Sequence, residues 1–97
     1  MQPYILINPF EVPQGQEEQF LGAWREAAEY LRHAPGFLST RLHESLDPGA
    51  RFRFVNIAEW ESAQHFQVAV RSEAFQAIAR KMPFPGSPAL YRVSTEV

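Results

Sequence analysis

The sequence predicts an α+β domain of ferredoxin-like topology, β-α-β-β-α-β, with a four-stranded antiparallel sheet and two helices on one face. Three observations predict this class. Short apolar runs of β-type alternate with longer segments of helical spacing, and Pro- and Gly-containing turns separate them. The 97 residues contain no repeat or linker, so one domain spanning residues 1–97 is expected.

The first half of the chain predicts a strand, a helix and a second strand. Residues 4–8 are an apolar run that Pro9 closes. In residues 16–33 the apolar side chains recur on one helical face. They are Phe20, Leu21, Trp24, Ala27, Ala28 and Leu31. The sequence Ala34-Pro35-Gly36 ends this helix, and residues 37–44 alternate as a strand should.

The second half repeats this order. Residues 51–60 form the clearest strand, and alternate side chains share a face. One face carries Phe52, Phe54, Asn56, Ala58 and Trp60. A helical region starts at Glu61-Ser62 and is predicted to break near Arg71-Ser72, where Ser72 can cap a new segment. After the proline-rich loop 83–88, residues 89–97 predict the last strand.

Apolar residues occupy both faces of the first and third strands, although the helices cover only one. Ile5, Ile7, Val55 and Ile57 lie on the uncovered side. A second copy of the sheet, packed face to face in a homodimer, would bury them. The alternative is a set of isolated exposed aliphatic residues, which is common on protein surfaces.

Composition excludes several classes of function. The chain has no cysteine, which excludes disulfides and thiolate chemistry, and a net charge of −2 does not favour nucleic acid. The histidines at 33, 43 and 65 lack the spacing of metal ligands, so no metal site is predicted. No apolar run approaches the ~18 residues of a membrane span. Because Met1 leads into an apolar strand without a basic leader, a cytoplasmic protein with no membrane partner is expected.

Two amides on apolar strands are the candidate polar groups of a site. Asn56 lies mid-strand on a face that should be buried, where an unpaired amide would cost ~1–3 kcal/mol. A neighbouring backbone group could satisfy it, or it could donate into a ligand cavity. Trp60 ends the same face with an indole N–H. Asn8 precedes Pro9, and Asn-Pro is also ordinary turn chemistry.

Residues 54–62, FVNIAEWES, followed by Phe66, resemble the V-N-x-A-x-W-E-S signature of the antibiotic biosynthesis monooxygenase (ABM) family. The sequences Asn8-Pro9-Phe10 and Pro35-Gly36-Phe37 are similar to that family too, so the resemblance covers essentially the whole chain. It implies a dimeric α+β barrel with a pocket between helices and sheet in each subunit.

Two branches of the family imply different chemistry. The quinone-forming branch oxidises anthrone-type phenols with O₂ and no cofactor, and its Asn and Trp fall on Asn56 and Trp60. Its Tyr and Arg are replaced by Phe66 and Gln76. In the haem-degrading branch the Asn falls on Asn8, but the Trp and His fall on Ala69 and Ala79. Haem binding is therefore the weaker alternative.

The resemblance implies a monooxygenase that oxidises a small aromatic phenol, hydroquinone or polyketide-like substrate with O₂ and without a cofactor. Asn56 and Trp60 are the expected catalytic donors, and His65 is the candidate base. The expected substrate-binding residues are Asn8, Phe52, Phe54, Phe66 and Phe75. The alternative function is a non-catalytic dimeric module that binds a small apolar ligand or has a structural role.

Overall fold

The computed structural model describes residues 2–97. Its elements are, in order, β1 (Tyr4–Phe10), α1 (Glu17–Leu31), β2 (Phe37–Glu44), β3 (Phe54–Trp60), α2 (Ala63–Arg71), α3 (Glu73–Ala79) and β4 (Ala89–Tyr91). The strands pair antiparallel in one sheet of order β2-β3-β1-β4. The predicted ferredoxin-like α+β topology is confirmed, with the second helical region divided into α2 and α3.

Ser72 divides that region, close to the predicted break. Its backbone is extended (φ −62°, ψ 146°), and its hydroxyl donates to the carbonyl of Ala69 at 2.9 Å. The same hydroxyl accepts the N–H of Phe75 at 3.2 Å, so one side chain ends α2 and caps α3. The hydroxyl of Tyr30 lies 3.1 Å from it and links this junction to α1. The helices of residues 2–97 are too short and too polar for a membrane span.

The ends of three strands differ from the prediction, and the neighbouring strands explain two of the differences. Strand β3 begins at Phe54 rather than at residue 51 because both of its neighbours end there, with Phe10 and Glu44 as the last partners. Strand β4 ends at Tyr91 rather than at residue 97. Tyr91 pairs with Ile5, and β1 extends only one residue beyond that position.

Strand β1 continues through Pro9 to Phe10, although a proline lacks the N–H of a strand residue. The carbonyl of Pro9 accepts the N–H of Ser87 at 3.2 Å. In an extended strand the N and the carbonyl of one residue point to the same side, so the Pro9 nitrogen faces away from β3. The proline therefore removes no hydrogen bond between β1 and β3.

The sheet has a covered front face and an open back face. The helices pack against the front face, where Leu6, Phe54 and Trp60 are buried. The back face carries the alternate side chains of the same strands. Ile5, Ile7, Val55 and Ile57 are each half-buried there.

Two packed clusters occupy the front face. The Phe cluster consists of Phe10, Val12, Phe20 and Phe54, and the Trp cluster consists of Leu6, Ala58, Trp60 and Ala69. Asn8 separates Leu6 from Phe10 along β1, and Asn56 separates Phe54 from Ala58 along β3. Two amides therefore interrupt the apolar face at its centre.

Candidate functional site

A cavity of about 570 Å³ lies between the front face and the helices. Strands β1, β2 and β3 form its floor, and the proline-rich segment 83–88 borders it beside β1. The helices supply apolar walls: Trp24 and Leu31 from α1, Phe66 and Val70 from α2, Phe75 and Ile78 from α3. Ligand pockets usually measure ~300–1,000 Å³, so this volume suits a small aromatic molecule.

The polar groups of the cavity are few and uncharged. The polar lining side chains are Asn8, Thr40 and Asn56, together with the indole of Trp60. No charged or titratable side chain of residues 2–97 lines the cavity. A charged ligand would lose its hydration there without gaining an opposite charge, so the cavity favours a neutral, largely apolar ligand.

Asn8 and Asn56 are direct partners in the antiparallel register of β1 and β3. Their side chains therefore lie next to each other on the front face. Asn56 is buried, and its Oδ1 accepts the hydroxyl of Thr40 at 2.6 Å. A side chain of β2, rather than a backbone group, satisfies this oxygen. The amide nitrogen is thus the group left to donate into the cavity.

Segment 83–88 packs directly on Asn8. A Cβ on Gly86 would overlap the Oδ1 of Asn8 and would lie 2.8 Å from a ring carbon of Phe10. Gly86 also forms a β-bridge with Phe10, next to the bond from Ser87 to Pro9. Only glycine lets the segment approach β1 so closely. The Oδ1 of Asn8 is buried beneath it, without a hydrogen-bond partner among the described residues.

Trp60 is fully buried at the other end of the same face. Phe37 and Phe66 contact its ring edge-to-face, with centroid distances of 5.4 and 5.6 Å. Its Nε1 is buried and has no hydrogen-bond partner within residues 2–97. A buried unpaired donor costs ~1–3 kcal/mol. Trp60 and Asn8 thus both line the cavity, and each has one buried polar atom without a hydrogen-bond partner in the described chain.

The structure brings most of the predicted site residues together. Asn8, Asn56, Trp60, Phe66 and Phe75 all line the cavity. Phe52 and Phe54 do not. Phe54 stacks on Phe20 inside the Phe cluster, with centroids 4.8 Å apart, and Phe52 precedes β3 with the guanidinium of Arg51 4.9 Å above its ring.

His65, the candidate base, also lies outside the cavity. Its Nδ1 is 2.7 Å from the hydroxyl of Ser62, which caps α2 by accepting the His65 N–H. Its ring packs on Gly36 so closely that a Cβ there would overlap it. His65 borders a separate pocket of about 290 Å³. The helix turns Phe66 and Val70, four residues apart, toward the cavity instead.

Sequence reasoning missed Thr40, Gly86 and the role of Trp24. The signal for Thr40 is its register: it pairs with Ala58, so it is a polar residue at an inward position of β2. Trp24 belongs to the apolar face of α1 but also lines the cavity. No sequence signal reveals where segment 83–88 packs.

The family model for antibiotic biosynthesis monooxygenase matches residues 3–81. The chain belongs to the ABM family. A candidate monooxygenase from Shewanella loihica PV-4 is 38% identical to it, with a TM-score of 0.87 over 98% of this chain and 97% of that chain. The resemblance carried by residues 54–62 is thereby confirmed.

More distant solved structures share the ABM fold. SnoaB, a cofactor-independent oxygenase from Streptomyces nogalater, is 21% identical, with a TM-score of 0.86 over 100% of this chain and 98% of that chain. A haem-degrading protein from Mycobacterium tuberculosis is 25% identical, with a TM-score of 0.73 over 99% and 96%. No protein of curated function is similar enough in sequence to count as a relative.

Haem does not fit the residues of this ABM chain. Ala79 lines the cavity where the haem-degrading branch is expected to carry its histidine, and Ala69 is buried in the Trp cluster. Histidine is a common axial ligand of haem iron. No histidine of residues 2–97 lines the cavity, so the chain offers no such ligand there.

Proposed function

We propose that this ABM chain is a cofactor-independent monooxygenase that oxidises a small, neutral aromatic phenol or anthrone with O₂. The observation that carries the proposal is the Asn56 amide, held by Thr40 at the centre of an apolar cavity of about 570 Å³. The fold shared with SnoaB, which is a cofactor-independent oxygenase, supports the same chemistry.

The reaction with anthrone illustrates the chemistry. The methylene carbon loses a proton, and the resulting anion transfers one electron to O₂. The substrate radical and superoxide then combine to form a C–O bond. The peroxide anion then takes up a proton, which replaces the one lost at the start. Loss of water breaks the O–O bond and leaves anthraquinone, so one oxygen atom enters the product and the other leaves as water. All the electrons come from the substrate, which is why no redox cofactor is needed.

The residues of the cavity would act by binding and electrostatics. The amide nitrogen of Asn56 would donate to the substrate oxygen that becomes negative when the proton leaves, and such donors are most effective where water is excluded. The apolar walls would keep water from the anion and the peroxide. Since no titratable side chain of the described chain lines the cavity, the substrate must be acidic enough to lose its proton to water before the walls enclose it.

Oxygen uptake with anthrone tests the proposal. We expect the wild-type chain to consume O₂ and to form anthraquinone containing one atom from labelled O₂. Asn56→Ala should lower turnover by a factor of ~10²–10³, the usual effect of losing one donor to a developing oxyanion. The matched control is Gln67→Ala, which removes an exposed amide on α2 and should leave turnover unchanged. Unchanged turnover in Asn56→Ala would contradict the assigned role.

The alternative is a non-catalytic module that binds a small apolar ligand. The observation that favours it is the lack of a titratable group among the described residues that line the cavity. Anthraquinone binding, followed by tryptophan fluorescence, together with no oxygen uptake from anthrone or hydroquinone would identify this alternative.

The back face supports a homodimer. Ile5, Ile7, Val55 and Ile57 form a half-buried apolar surface that a second copy would cover. We expect the wild-type chain to sediment as a dimer and Ile57→Lys to sediment as a monomer, because the dimer would bury the new charge unpaired. The control, Gln67→Lys on the exposed side of α2, should remain dimeric. A monomeric wild type would contradict the proposal.

A further inference from the structure

The orientation of the Asn56 amide decides which chemical group the cavity can recognise. An asparagine side chain ends in an oxygen that accepts hydrogen bonds and a nitrogen that donates two. Turning the amide over exchanges them without changing the shape of the cavity. A neighbouring group must therefore fix the orientation if the site is to select one kind of ligand atom.

Thr40 is that neighbour. Its hydroxyl donates to the Oδ1 of Asn56 at 2.6 Å, which is short for a neutral O–H···O bond. On the sheet, Asn56 pairs with Leu42 and Thr40 pairs with Ala58, so the bond crosses the register diagonally. Thr40 is half-buried and itself lines the cavity.

No other side chain of residues 2–97 forms a hydrogen bond with the Asn56 oxygen. Asn8 is its direct partner across the strands, but the Oδ1 of Asn8 is buried beneath Gly86 and no hydrogen bond joins the two amides in the described chain. A hydroxyl can also accept, but the Thr40 hydroxyl forms no other side-chain hydrogen bond in the described chain, so turning the amide would leave both its proton and the Asn56 oxygen without a partner. The orientation of Asn56 therefore depends on this one hydroxyl.

We propose that Thr40 is a positioning residue that keeps the nitrogen of Asn56 toward the cavity, so that the site selects an acceptor oxygen, such as a ketone or phenolate, over a hydrocarbon edge of the same shape. The choice of ligand rests on the proposed function. The orientation itself rests on the Thr40–Asn56 bond alone.

Removing the hydroxyl should release the amide. Thr40→Val has nearly the same shape but no proton to donate, so it leaves the Asn56 oxygen without its partner. The amide can then turn and present its oxygen, whose lone pairs repel an acceptor atom of the ligand. Thr40→Ser retains the hydroxyl and should retain the orientation.

The test compares two inert probes of similar outline in the absence of any reaction. Anthraquinone carries two acceptor oxygens, and anthracene carries none. Tryptophan fluorescence of the full chain gives the Kd of each probe for the wild type, Thr40→Val and Thr40→Ser. We expect the wild type and Thr40→Ser to bind anthraquinone more tightly than anthracene. In Thr40→Val we expect the Kd of anthraquinone to rise about tenfold while the Kd of anthracene is unchanged.

A constant ratio of the two affinities in Thr40→Val would overturn the proposal. The same loss of preference in an Asn56→Ala background would overturn it too, because Thr40 lines the cavity and its hydroxyl would then act on the ligand directly. A wild type without a preference for anthraquinone would overturn it as well. If Thr40→Val does not fold, Thr40→Ala removes the same hydroxyl and answers the same question. A shifted preference in a chain that does not consume O₂ with anthrone would support the role of Thr40 and contradict only the monooxygenase activity.

Discussion

Phe54 and Trp60 stand at opposite ends of β3, on the same face and equally hidden from solvent. Phe54 packs in the Phe cluster, where its ring stacks on Phe20 with an interplanar angle of 22°, and the guanidinium of Arg53 lies 5.5 Å from its ring centroid. Trp60 retains an unpaired N–H and lines the cavity. Burial of an aromatic ring on the site face therefore does not identify a cavity wall. A buried ring whose polar atom has no hydrogen-bond partner is the better indicator.

The helices explain why the two ends differ. Opposite Phe54, α1 contributes Phe20, whose ring lies 4.8 Å from those of Phe10 and Phe54 and fills the space. Farther along α1, Ala27 and Ala28 line the cavity and contribute only methyl groups. Because protein interiors close-pack wherever side chains reach one another, the two alanines leave space between the larger side chains that form the walls.

Phe54→Ala should have the largest effect on stability. Truncating a buried phenylalanine typically lowers the free energy of unfolding by ~3–5 kcal/mol, and Phe54 stacks on the fully buried ring of Phe20, which cannot easily close the gap. Urea denaturation measures the change. Phe52→Ala, which removes a half-buried ring just before β3, is the control and should cost ~1 kcal/mol. A similar small loss for Phe54→Ala would mean that the Phe cluster is loosely packed.

Most of the fold could be predicted because its signals are local. Alternation and turn residues mark the strands, and the capping properties of Ser72 mark the division between α2 and α3. The strand ends are less local. Strand β4 ends at Tyr91 because its neighbour β1 extends only one residue beyond the partner of Tyr91. The sequence of residues 89–97 does not encode this end point.

The candidate site could be predicted only in part for the same reason. Asn56 and Trp60 stand out in the sequence as polar atoms on an apolar strand. The partner of Asn56 depends on the register between β2 and β3, which brings Thr40 within 2.6 Å. The contact of Gly86 with Asn8 depends on how a loop without periodicity packs against β1.

Trp60→Phe should have the smaller effect on stability and so sharpen the contrast with Phe54. The variant loses part of a buried ring system, which lowers the free energy of unfolding. It also loses a buried N–H that has no hydrogen-bond partner, which raises that free energy, so the two contributions oppose each other. We expect the free energy of unfolding to fall by about 1 kcal/mol and anthrone turnover to fall about tenfold, as for a donor that strengthens its bond in the transition state.

Trp24→Phe is the matched control for stability, since Trp24 is the only other tryptophan and is less buried. A loss of ~3 kcal/mol or more in Trp60→Phe would contradict the opposing gain, because lost packing or a broken hydrogen bond of the N–H would then dominate. In that case Trp60 would be a core residue like Phe54.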